Sequence, residues 1–373
     1  MGSTKTAPVS VWELDTGVRS AGTAALHAVR AVAVDETWAV GGVVDPDTGR
    51  MRGLVARWAG EFRFVRPADV PRGLDVSLFG VDAAGQYVWA VGAVSDGAGG
   101  GRARIERYSR RQVTGVAVPG PAVDRNNALH AVSMLAPDEG WAVGGCGPDA
   151  DSAFTRPLIA RWDGTVWRAV PCPRPKSRNR LDAVSARRTD DVWAVGHSSD
   201  RDCEDRPEAL VLHWNGERWH HVRLPDRMAE GTELRAVAAV ARDSVWATGS
   251  TTVPGRAHRA GVVLHWDGKR WRSMRAEEPV TEVTGVAAVA EDDIWFSAYA
   301  MPPGGTENVY VARWDGERVL AEFTGPLPQG HVGSALNGIS VAGDRVTAVG
   351  WRMTTDTPFQ LPAALLGCSS APA

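Results

Sequence analysis

Lysine is almost missing from the 373-residue chain. Only Lys5, Lys176 and Lys269 occur, and Arg supplies the rest of 41 basic residues set against 44 acidic ones. So even a balance offers no broad attraction to nucleic acid or to an anionic membrane, and the preference for Arg reads as the coding bias of a GC-rich genome. Long apolar runs are missing too. Nothing approaches the roughly 18 residues that span a bilayer, and the opening stretch Met1 to Pro8 lacks the apolar core of a leader. The expectation is a cytoplasmic monomer with no nucleic-acid or membrane partner. Cysteine is scarce: Cys146, Cys172, Cys203 and Cys368 show no CxxC spacing, which excludes a dense disulfide framework and a recognisable zinc site. Cys172 and Cys203 flank one repeat and are close enough in sequence to meet, but free thiols are expected. No stretch keeps a 3.6-residue period, so no helix is expected. Nucleotide-binding glycine loops, GxSxG elbows and HExxH pairs are absent, and no cofactor or metal is expected.

What the chain has in abundance is Trp, 16 in all. Six of them anchor one returning phrase, clearest as Asp191-Val192-Trp193-Ala194-Val195-Gly196. The anchors are Trp38, Trp89, Trp141, Trp193, Trp246 and Trp295, and a seventh copy, Thr347 to Gly350, has lost its Trp; the steps are 51, 52, 52, 53, 49 and 52 residues. Within one period, Leu181 to Ala186 and Val192 to Gly196 read as strands about a turn at Asp190-Asp191. Leu210 to Trp214 reads as a third strand, followed by Asn215-Gly216, a two-residue type I′ hairpin signal. Arg218 to Leu224 reads as a fourth strand, stopped by Pro225.

Four antiparallel strands at a period near 50 residues make a β-propeller blade. The reading is all-β: a single seven-bladed propeller over residues 1–373. Its blades lie near 26–66, 78–118, 129–170, 181–224, 234–275, 283–324 and 336–368. The last blade lacks a fourth strand, and residues 9–15 contain Trp12 in the position of Trp167, Trp219 and Trp271. The N-terminal strand is therefore expected to close the ring and cover an open edge. Fifteen of the 16 Trp residues then fall at repeated core positions; Trp351 alone does not.

These phrases, with Arg57-Trp58-Ala59-Gly60, Arg161-Trp162-Asp163-Gly164, His213-Trp214-Asn215-Gly216, His265-Trp266-Asp267-Gly268 and Arg313-Trp314-Asp315-Gly316, resemble the Trp-rich "WAVG" propeller repeats of bacterial proteins. The resemblance covers essentially the whole chain. The architecture is similar to that of kelch and WD-repeat propellers, without the repeated Gly-Gly of the one or the short period of the other. It implies a fold and leaves function to the site.

The loops after the second strands, 42–53, 93–103, 145–157, 197–208, 250–260, 298–308 and 351–362, are long and variable, and function favours variable loops on a rigid scaffold. The second residue of each inner strand forms a variable column beside that face: His27, Phe79, His130, Asp182, Arg235, Thr284 and Asn337. A second column follows the phrase and includes His197, Tyr299 and Trp351. Two readings arise. In the first, the protein binds or scaffolds a small molecule or peptide at the channel mouth through Phe79, His197, Thr284, Tyr299, Asn337 and Trp351. In the second, it is a biosynthetic lyase, hydrolase or cyclase with His27, His130, Asp182 and Arg235 as acid–base groups. A water-filled polar pore is the unfunctional counterpart of both. Trp351 has its own bland reading, repacking blade seven in place of the missing anchor. Asp45 to Gly49 lacks the ligands of a calcium loop and reads as a turn. Arg174, Lys176, Arg178 and Arg180 form a basic cluster between blades three and four, with Arg125 in the preceding inter-blade loop; they could bind an acidic ligand or phosphate, but a solvated loop is expected.

Overall fold

The computed structural model describes residues 9–15, 22–70, 73–97, 100–109, 112–116, 126–147, 156–200, 206–256, 258–275, 280–300, 308–325 and 331–369. Its strands form seven four-stranded antiparallel sheets in a ring. The inner strands are Ala24–Ala33, Asp75–Ala84, Asn126–Ala136, Arg178–Arg188, Thr232–Ala241, Val280–Ala290 and His331–Ala342. They begin two to five residues earlier than the repeat alignment suggests. The N-terminal strand Val9–Asp15 pairs with Thr357–Ser369, so blade seven is built from both ends of the chain. Among the described residues no helix is long and apolar enough to cross a membrane.

The Trp anchors fill the wedges between blades. Each reaches the outer strands of the next blade: Trp89 meets Trp162 and Trp167 at 4.9 and 5.6 Å, Trp141 meets Trp214 and Trp219 at 5.0 and 5.3 Å, and Trp193 meets Trp266 and Trp271 at 6.2 and 5.8 Å. Trp12 takes the same role toward Trp295 at 6.5 Å. A buried indole removes roughly 200 Å² from water, about 5 kcal/mol gross at 25 cal/mol/Å². The residue before each third-strand Trp covers the anchor of its own blade. Arg161 and Arg313 lie 5.3 Å over Trp141 and Trp295, and His213 and His265 stack at 4.3 and 4.2 Å on Trp193 and Trp246. In blade four Asp191 fixes this arrangement. Buried at 2 % exposure, it accepts from Trp193 Nε1 (2.9 Å), His213 Nε2 (2.9 Å) and Arg187 Nε (2.7 Å).

Several expectations need correction. Asp191 is the first residue of its strand and not part of a turn. Asn215-Gly216 does not form a two-residue type I′ loop: Trp214 pairs with Trp219 across four residues, and no residue other than Gly has positive φ among the described ones. Instead Asn215 Oδ1 accepts the amides of Glu217 and Arg218 while Gly216 adopts φ +97°, so the side chain closes the turn and only one position needs Gly. A four-residue helix, Asp226–Ala229, follows Pro225; one turn is too short to show a period. The expected loop 351–362 is mostly strand, with pairing continued to Thr354 opposite Thr357. Asp45 to Gly49 is a turn, with Asp45 Oδ1 accepting two amides and Gly49 at φ +66°. Cys172 is a free thiol and Cys146 is buried, while Cys203 and Arg125 lie outside the described residues.

Candidate functional site

The inner strand of every blade carries a β-bulge at the same place. Pairing with the second strand skips one residue between Leu26 and Ala28, and likewise at Leu78/Gly80, Leu129/Ala131, Leu181/Ala183, Leu234/Ala236, Val283/Gly285 and Leu336/Gly338. The skipped residues are His27, Phe79, His130, Asp182, Arg235, Thr284 and Asn337. A bulge adds an unpaired residue and re-aims its side chain. The Gly that ends the repeated phrase makes the bulge possible. A Cβ on Gly41, Gly92, Gly144, Gly249 or Gly350 would lie 1.9 Å from a carbonyl oxygen of the inner strand, and on Gly196 it would lie 2.0 Å from that of Arg180. These glycines are required by close approach of backbone, not by a left-handed φ. Blade six places Ala298 there and adds a further register shift between Val280 and Glu282.

Four bulge residues bind the next blade around the ring. Thr284 Oγ1 donates to Leu336 O (2.6 Å) and Asn337 Nδ2 to Leu26 O (2.8 Å). His27 Nδ1 lies 2.8 Å from Leu78 O, and His130 Nδ1 lies 2.8 Å from Leu181 O. A carbonyl only accepts, so both imidazoles carry their proton on Nδ1 and present Nε2 as the acceptor when neutral. Burial lowers the His27 pKa, against the pull of the Leu78 carbonyl. Burial, then the charge of Arg180, pushes His130 down to about 4 despite the opposing pull of Asp182. Both rings are therefore neutral near neutral pH. Phe79 lies between them, stacked at 5.6 Å on His27 and edge-on at 5.8 Å to His130.

Blades four to six carry a chain of charges. Asp182 is 7 % exposed and contacts Arg180 Nε at 2.7 Å and His197 Nδ1 at 3.3 Å, with Arg235 at 3.8 Å. The Arg180 contact is a charge pair by distance, and neither it nor the His197 contact is aligned as a hydrogen bond. Burial alone would raise the Asp182 pKa; His197, Arg180 and His130 outweigh it and hold the carboxyl well below the usual carboxylate range. Arg235 Nε donates to Glu282 Oε1 (2.8 Å) and its Nη2 to Glu233 Oε2 (2.7 Å). Burial would lower the Arg235 pKa, but Asp182, Glu282 and Glu233 raise it. Tyr299 completes the chain by donating to Glu282 Oε2 at 2.9 Å.

These groups enclose a cavity of about 810 Å³ at the channel mouth. All seven bulge residues line it, and so do Tyr299 and Trp351. His197 stands behind Asp182 and does not face the cavity. Trp351 enters none of the wedge stacks, so it does not replace the lost anchor of blade seven. Arg345 does that instead, lying 4.0 Å over Trp58 of blade one. Sequence reasoning missed Arg180 and Glu282, which also line the cavity. Both lie two residues before a bulge, in a column that reads Ala25, Ser77, Ala128, Arg180, Glu233, Glu282 and Ala335, so the same alignment contained the signal. Of the basic stretch, Arg180 belongs to the site, while Lys176 pairs with Glu208 (2.5 Å) and Asp200 (3.3 Å). No group of three or more His, Cys, Asp or Glu side chains suited to a metal occurs among the described residues.

No model of a known protein family matches this chain, and no curated protein matches it. Solved structures do. One is a polysaccharide lyase, an ulvan lyase bound to -[GlcA(1-4)Rha3S]-, at 12 % identity and TM-score 0.53, covering 98 % of this chain and 96 % of that one. Another is the acylaminoacyl peptidase of Pyrococcus horikoshii, at 13 % identity and TM-score 0.51, covering 95 % of this chain and 53 % of the peptidase. A third is the β-propeller domain of the Trilobed protease from Pyrococcus furiosus, at 12 % identity and TM-score 0.50, covering 92 % and 95 %. At such identities the likeness is one of fold: this chain is a seven-bladed β-propeller.

Proposed function

We propose that the protein is a binding propeller of the Trp-rich repeat kind, and that it takes a small polar molecule in the mouth cavity. The observation that carries this reading is that the polar groups of the mouth are already engaged with the scaffold. His27, His130, Thr284 and Asn337 hold the neighbouring blade, and Asp182, Arg235 and Glu282 hold one another. Such groups form a rigid, pre-organised surface. They make poor proton carriers, because an efficient acid or base has its pKa near the working pH, whereas Asp182 and His130 are both pushed far below it. Trp351 and Tyr299 supply aromatic faces against which a ring can stack.

A second reading, an enzyme of the lyase type, is favoured by one juxtaposition: the neutral His130 stands beside the cationic Arg180 in a cavity on a scaffold of the same extent as the polysaccharide lyase. The two readings separate in one experiment. Wild type and Trp351→Ala are screened by thermal shift against monosaccharides, oligosaccharides, amino acids and nucleosides, and every stabilising compound is followed by NMR for conversion. Binding predicts at least one compound that raises the wild-type Tm, is recovered unchanged, and loses its effect in Trp351→Ala. Conversion of the compound favours the enzyme; no stabilising compound at all removes both readings.

A further inference from the structure

Among the described residues the charges that line the mouth balance: two guanidinium groups, Arg180 and Arg235, face two carboxylates, Asp182 and Glu282, and the two imidazoles of the ring are neutral. The four charges also interlock: Arg180 with Asp182 at 2.7 Å, Arg235 with Glu282 at 2.8 Å and with Asp182 at 3.8 Å. An anion drawn to Arg180 meets Asp182 immediately beside it. A cation drawn to Asp182 or Glu282 meets Arg235. A charged ligand therefore has to break an existing pair and leave a half-buried charge uncompensated, and such like-charge juxtapositions are how sites reject wrong partners.

Hydrogen-bonding capacity is nonetheless open. Asp182 and Arg180 both line the cavity, and their 2.7 Å contact is not aligned as a hydrogen bond. Arg180 meets Asp182 through Nε at 2.7 Å, and a guanidinium carries four further N–H donors. A carboxylate and a guanidinium side by side offer an acceptor and a fork of donors, and a hydroxyl group is both donor and acceptor. Aromatic faces at Phe79, Tyr299 and Trp351 offer the complementary surface for the C–H face of a saturated ring. The cavity's size falls in the roughly 300–1,000 Å³ range of small-molecule pockets.

We infer that the ligand of the mouth is an uncharged polyhydroxylated ring, a neutral sugar unit, that shares its hydroxyls between Asp182 and Arg180 and stacks on the aromatic side of the mouth. This rests on the mouth being the ligand site. Anionic sugars, amino acids and nucleotides are disfavoured by the same four charges.

The test is isothermal titration of the full chain with neutral gluco-, xylo- and manno-trisaccharides and with their uronate counterparts of the same linkage, alongside the nucleosides and amino acids of the thermal screen. The expected result is that one neutral sugar binds at least tenfold more tightly than its uronate counterpart. Asp182→Asn should bring that ratio down tenfold or reverse it, because Arg180 then lacks its counter-charge. Glu282→Gln makes the same change in net charge should Asp182→Asn fail to fold. A wild-type preference for the uronate overturns the inference while leaving the mouth as the site, provided Trp351→Ala abolishes binding. A nucleoside or amino acid that binds in a Trp351-dependent way, with no sugar binding, does the same. Sugar binding that ignores Trp351→Ala overturns both the inference and the mouth.

Discussion

The wedges between the blades and the ring at the mouth both recur seven times, and they recur differently. In the wedges the side chain is repeated: indole follows indole, each covered by an Arg or a His of its own blade. At the mouth only the backbone position is repeated. Seven bulges hold His, Phe, His, Asp, Arg, Thr and Asn. The difference teaches that a wedge needs a particular volume, because packing leaves no tolerance for voids, whereas a bulge fixes where a side chain points and leaves its chemistry open. The exception proves informative. Between blades seven and one the anchor is Thr347, buried at 0 %, and the aromatic partner Trp58 is covered by a cation, Arg345.

The comparison can be broken most directly by cutting one indole from each region. Trp141 is 0 % exposed, and Trp141→Ala should cost about 4 kcal/mol in urea denaturation. Trp351→Ala should stay within about 0.5 kcal/mol of wild type. Similar losses at both sites would end the distinction between wedge and mouth.

A smaller effect comes from the ring itself. In the folded protein His130 titrates at about 4, and unfolded it returns to its ordinary 6.5. Between those values the unfolded chain holds more protons, so stability falls as pH drops through this window, by on the order of 3 kcal/mol at most. Above 6.5 the contribution is flat. His27, shifted in the same direction, adds to the slope. Asp182 is ionised throughout this window and its stabilisation is lost only at lower pH, below its ordinary 3.8. Denaturation midpoints at pH 4.5 and 7.5 should therefore differ less in His130→Gln than in wild type; an undiminished difference would place the proton elsewhere. Smallest of all, Arg345→Ala should cost about 1 kcal/mol, testing whether the cation over Trp58 stands in for an indole.

Much of this was readable in the chain because repetition aligns it against itself. The period gave the blades, the unmatched ends gave the closure of blade seven, and the variable column gave every residue that turned out to be bulged. What stayed hidden was hidden for physical reasons. Arg180 and Glu282 reach the cavity from two residues upstream, a position filled by Ala or Ser in four of the seven blades, so the column looks like scaffold until the backbone geometry shows which way it faces. His197 follows the repeated phrase just as Tyr299 and Trp351 do, yet its side chain turns toward Asp182 and away from the cavity. The turn at Asn215 carries a type I′ signal, but the side-chain acceptor wins the amides first.

The glycine that closes each Trp-Ala-Val-Gly phrase has a consequence for design. Because it clears space for the bulge whatever residue the bulge carries, six of the seven mouth positions share one frame, on which Asp182 and Arg235 are coupled by charge and His27, Phe79 and His130 by ring contact. A library randomised at codons 27, 79, 130, 182, 235, 284 and 337 would sample recognition chemistries while leaving every wedge intact, with losses in those members that forgo an inter-blade bond such as Asn337 to Leu26 or an ion pair such as Arg235 to Glu282. Selection from such a library would treat the propeller much as an immune repertoire treats its framework, as fixed grammar beneath a changeable vocabulary.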